Sequence, residues 1–140
     1  MSFREKTAWI SLFANLLVYG VYFAMFVSAL QRGPIDKSQF FELFVGCFAA
    51  VVVAMIVLTV IAAIFSPRDA SAPLDERERL IALKAMQFGY FILAASVVMA
   101  VGAAYFGLDG FLLANALFFA LVLAEVAHYG AQIYYHRRGA

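Results

Sequence analysis

This chain has little charge, almost no cysteine and few residues that break helices. Only 14% of its 140 residues are Asp, Glu, Lys or Arg, where soluble domains carry about 25%. Hydrophobic residues make up 66%, and the mean hydropathy is +0.91. A soluble fold cannot hide that much apolar surface, so the bilayer is the expected solvent. The single cysteine, Cys47, excludes an intrachain disulfide. It sits in an apolar run and reads as a small packing or lipid-facing residue. With only His128 and His136 as further soft ligands, donors are too few for a zinc or iron centre. Net charge is +1 and no Lys/Arg block exceeds two residues, which argues against nucleic acid as a partner. There is no glycine-rich phosphate loop and no nucleophile–base arrangement. Neither an enzyme nor a cofactor is expected.

What is present is four long apolar runs in one transmembrane domain covering 1–140. The first spans about 7–30, enough to cross a hydrocarbon core that needs about 20 residues. It is too long for a signal-peptide core of about 7–15 residues. Gln31-Arg32-Gly33-Pro34 reads as its stop, with a cation, a glycine for a left-handed cap and a proline. Asp36 and Gln39 suit a capping box for a second helix over about 38–65. A third pattern runs over about 75–106, roughly 31 residues or about 47 Å, so its first turns are expected to project from the membrane. Gly107-Leu108-Asp109-Gly110 is a tight turn into a fourth helix over about 111–135. The expected fold is all-α: an integral membrane four-helix bundle of two antiparallel hairpins. The fifteen Phe and seven Tyr read as lipid-facing and packing residues.

Between the hairpins lies the one strongly charged stretch, in the loop 66–80 and the helix start that follows. Asp75, Glu76, Arg77, Glu78 and Arg79 are consecutive, and Lys84 follows. Asp75 with Glu78 fits a second capping box, and three carboxylates in a first turn suit the helix dipole. An ion-paired, well-capped helix start accounts for the pattern. So does a docking surface for a partner. Lys and Arg also orient the chain: eight lie at the two termini and in the central segment, against Arg32 and Lys37 on the other side. The positive-inside rule puts both termini and the charged loop in the cytoplasm, in a multi-pass protein of the inner (plasma) membrane.

Polar residues inside a bilayer are costly and need a reason. The fourth run contains Asn115, Glu125, His128 and Gln132. Glu125 and His128 are three apart, and His128 and Gln132 four apart, so they share a face. The row continues as Ala124, Ala120 and Ala116, a small-residue ridge that admits a close neighbour. Glu125 lies roughly 15 Å inside the helix end and His128 about 10 Å. Asn15 in the first helix is at similar depth, with Ser11, Tyr19 and Tyr22 on its face, and Gln87 enters from the third. The expectation is a polar cluster of Glu125, His128, Gln132, Asn15 and Gln87. One reading is mutual hydrogen bonding that sets helix packing. The other is a carboxylate and an imidazole that load and release protons. A di-iron bundle would need a second Glu-x-x-His motif.

Asp75-Glu76-Arg77-Glu78, then Ile81 and Lys84-Ala85, resembles the signature of a group of small uncharacterised bacterial membrane proteins. In that group four helices flank a central cytoplasmic Asp-Glu-Arg-Glu loop. The resemblance implies the architecture and a regulatory or accessory role, and it supplies no site for Glu125 and His128. Small multidrug transporters share the length and helix count. They carry their essential glutamate in the first helix, where this chain has Asn15. The leading expectation is an accessory or regulatory protein that meets a partner through residues 73–84. The alternative is a small proton- or solute-coupled transporter or channel. Either would work among membrane lipid, as a homo-oligomer or beside a larger membrane protein.

Overall fold

A computed structural model of the chain describes residues 3–65, 67 and 75–138. The linker expected between the hairpins, including Pro73 and Leu74, falls almost wholly outside these residues. The described chain is all-helical: α1 (Phe3–Arg32), α2 (Lys37–Phe65), α3 (Glu76–Tyr105) and α4 (Gly110–Arg138). Each is long and apolar enough to cross a membrane. α1 begins four residues before the expected Thr7, because Arg4 and Glu5 continue the helix and are held by partners on α3 and α4.

Local chemistry accounts for the boundaries. Gly33 ends α1 with a φ of 129°. Asp36 opens α2: its carboxylate accepts hydrogen bonds from the Ser38 N–H at 3.0 Å and the Ser38 hydroxyl at 2.8 Å. These bonds and one from the Gln39 backbone hold its carboxyl below the ordinary carboxylate range. α3 ends in a Schellman motif. Gly107, at φ 83°, donates to the Ala104 carbonyl at 3.1 Å, and Leu108 to the Ala103 carbonyl at 3.2 Å. Asp109 then caps α4 through the Phe111 N–H at 3.0 Å.

The expected Asp75–Glu78 capping box does not form. Asp75 takes the N-cap position with extended backbone, but its side chain makes no capping bond. Glu78 instead accepts from Arg4 Nε at 3.0 Å, because a guanidinium across the helix interface offers a stronger partner than a backbone amide.

Ion pairs mark both ends of the bundle. Arg4–Glu78 at 3.0 Å and Glu5–Arg137 at 3.6 Å put the starts of α1 and α3 beside the end of α4. Lys37–Asp109 at 3.6 Å puts the starts of α2 and α4 together at the other end. α1 and α4 form the centre. α2 packs on α1 and on the first half of α4, while α3 packs along α4. α2 buries only Val51 among its described residues.

Candidate functional site: a polar seam between α1 and α4

The inward stripe of α1 is Ala8, Ser11, Asn15, Tyr19, Tyr22 and Phe26. Its three- and four-residue spacings keep these residues on one face, and four of the six carry polar side-chain atoms. This face meets α4. Towards the start of α4 the Tyr22 hydroxyl donates to Asn115 Oδ1 at 2.7 Å. Asn115 Nδ2 donates in turn to the Phe111 carbonyl one turn back, at 2.9 Å. Asn15 is buried and donates to the Ser11 carbonyl at 2.8 Å. Further along, the Tyr129 side chain lies near Ser11 of α1 and Glu125 of its own helix. The buried side chains of Tyr22, Asn115 and Asn15 thus each make a hydrogen bond, as a dry interior demands.

An aromatic cluster packs around the part of the seam near the start of α4. Phe118 contacts Tyr19 and Tyr22 edge-on, both at 5.2 Å between ring centres. Phe44 of α2 meets the same ring at 4.7 Å. Beside it, between α2 and α4, is an open aromatic cleft of about 540 Å³, with Asn115 in its wall and Lys37 at its mouth. Cys47 is half-buried and packs against this cluster. Among the described residues no group of three or more His, Cys, Asp or Glu is placed to hold a metal ion.

The five residues expected to cluster are only partly brought together. Asn15 is buried in the seam, where its bond goes to α1's own backbone. Glu125 is exposed on the side of α4, with Tyr129 and Tyr19 as neighbours. His128 is half-buried and stacks edge-on against Tyr129 at 5.1 Å. Its Cβ faces α3, where a Cβ built on Gly89 would lie 3.0 Å from it and 3.1 Å from the Ala124 carbonyl. Gln132 is half-buried one turn below. Gln87 does not join them. It lies two positions from both Ala85 and Gly89, which face α4, and two positions turn a side chain about 200°. Gln87 is therefore exposed on the outer face of α3.

Tyr129 was missed by sequence reasoning. The available signal was its place one turn after Glu125, where a phenol can reach a carboxylate. Asn115 was recognisable as a costly polar residue, but its pairing with Tyr22 was not.

Within the charged segment, Asp75, Glu76, Arg77, Arg79 and Lys84 are exposed, while Glu78 is held by Arg4. Lys84 lies over the Tyr135 ring at 5.9 Å. At the same end Arg137 stacks over Trp9 at 5.4 Å while pairing with Glu5.

No protein-family profile, no curated protein and no solved structure matches this chain. The functional reading therefore rests on the seam, the braced end and the exposed helix start.

Proposed function

We propose that this protein is a non-enzymatic accessory or regulatory protein of the inner membrane. Its helices form two antiparallel hairpins, with both termini and the charged segment in the cytoplasm. The distribution of Lys and Arg supports that orientation. The observation that carries the functional reading is the state of the α3 start. With Glu78 engaged by Arg4, the first turns of α3 still present Glu76, Arg77 and Arg79 to solvent. Leu80 and Leu83, each 51% exposed, follow within the next turn. Charged and apolar groups thus stand on a helix that is already formed and braced, which lowers the ordering cost of binding.

The test is the composition of the complex recovered from native membranes after mild cross-linking. A stoichiometric larger membrane protein should accompany the wild type. It should fall at least tenfold with Arg77→Glu/Arg79→Glu and stay with Glu125→Gln. Equal recovery with the charge-reversed variant would exclude this surface.

A second reading has one specific support: the exposed carboxylate of Glu125 beside Tyr129. On that reading the protein carries protons or a coupled solute as a homo-oligomer. Proton flux in liposomes would then fall to background with Glu125→Gln.

A further inference from the structure

Glu125 is exposed on its side of α4. Counting from Arg137, Glu125 lies 12 residues up the helix, about 18 Å from that end, and about 24 Å from Asp109 at the other. An acid at that depth faces hydrocarbon unless something polar covers it, and such exposure is costly. Tyr129 lies near the carboxylate within the chain, but Glu125 remains exposed.

The neighbouring helix carries a matching group. Gly89 of α3 lies against Ala124 of α4, which sets the register of the two helices. The next residue on each helix turns about 100° away from that contact. Because the helices run in opposite directions, both turns go to the same side of the bundle. Tyr90 and Glu125 therefore emerge side by side at one level, and Tyr90 is 64% exposed. One residue offers a hydroxyl donor and the other a carboxylate acceptor.

Flanking residues extend the match. On α3, Met86, Tyr90 and Val97 lie at i−4, i and i+7, exposed by 58%, 64% and 38%. On α4, Leu121 lies one turn from Glu125 towards the α3–α4 turn and is 42% exposed. Val97 and Leu121 thus place apolar surface on the same side of Tyr90 and Glu125, towards the α3–α4 turn.

We infer that this face binds a second copy of the same chain across a two-fold axis along the membrane normal. A two-fold operation keeps depth and exchanges α3 with α4, so each Tyr90 hydroxyl meets the partner copy's Glu125 carboxylate. A surface carrying its own complement at the same height is what an isologous interface requires. The second copy is favoured over an unrelated helix because donor and acceptor are both supplied by this chain. The inference goes beyond the accessory reading and does not depend on the α3 start.

The test uses the full chain in native membranes, in a Cys47→Ser background, with two differently tagged populations. One carries Leu121→Cys and the other Val97→Cys, which leaves Tyr90 and Glu125 intact. A short bis-maleimide should give a doubly tagged dimer. Val98→Cys, 71% exposed on the outer side of α3, should give at least fivefold less. Adding Tyr90→Phe should reduce the dimer several-fold, and Arg77→Glu/Arg79→Glu should leave it unchanged. The proposal is overturned by a monomeric mass without cross-link, by equal reaction at Val98, or by a cross-link solely to a different protein. A dimer that persists with both Tyr90→Phe and Glu125→Leu would exclude the proposed hydrogen bond.

Discussion

The most informative single contact in this molecule is the bond between Tyr22 and Asn115. Both groups are buried, and the 2.7 Å separation leaves no room for a bridging water. Removing the phenol oxygen leaves the Asn115 carbonyl unpaired in a dry interface. Interhelical hydrogen bonds of this kind contribute about 0.6 kcal/mol on average and up to about 1.7 kcal/mol. Tyr22→Phe should therefore lower the stability of the bundle by about 0.5–1.5 kcal/mol. In a double-mutant cycle with Asn115→Leu, the second substitution should add less than the sum. Unfolding titrations in mild detergent give both numbers, and strict additivity would show that the bond does not couple the helices. The sequence marked Asn115 and Tyr22 as polar residues in apolar runs, but not as partners. Their contact depends on the rotation of α1 against α4, and no local spacing encodes that.

At the scale of the helix, the deciding feature is the closeness of α3 and α4. The ridge of Ala116, Ala120 and Ala124 was legible from four-residue spacing, because small side chains on one row let a neighbour approach. The structure supplies the other half, Gly89, pressed against Ala124 and His128. One of the two obstructing atoms is a backbone carbonyl, so a larger side chain cannot be accommodated by a rotamer change. Gly89→Leu should destabilise the chain by about 1–3 kcal/mol, the usual range for overpacking. Gly20 is the control: nothing lies within 4 Å of a Cβ built there. Gly20→Ala should be neutral or stabilise by up to about 1 kcal/mol, since glycine is a poor helix former. Thermal unfolding of the two variants checks the pair; equal midpoints would mean that the close approach is not maintained. His128 belongs to this scale as well. Its Cβ faces Gly89, so it serves the α3–α4 contact as much as the polar seam.

For the whole molecule, the prediction concerns direction in the membrane. The ion pairs place the starts of α1 and α3 at one end with the end of α4, and the starts of α2 and α4 at the other. Eight of the ten cations belong to the first end and the central segment, so that end should face the cytoplasm. In a Cys47→Ser background, Gln31→Cys should react with an impermeant maleimide added to intact cells, and Glu76→Cys should react after lysis alone. The reverse pattern would invert the protein.

The sequence alone determined the four spans, their all-helical character and most of their ends. Hydrophobic run length, glycine and proline stops and carboxylate caps act within a few residues, so they are written along the chain. It also singled out the residues for which burial is expensive. Only the tertiary structure decided what each of them meets. In a bilayer almost any helix face is apolar, so hydropathy does not say which face turns inward. The rotation and register of α1, α3 and α4 come from close packing instead. That packing buried Asn15, turned Gln87 outward, drew Glu78 from its cap to Arg4, and left Glu125 exposed on α4.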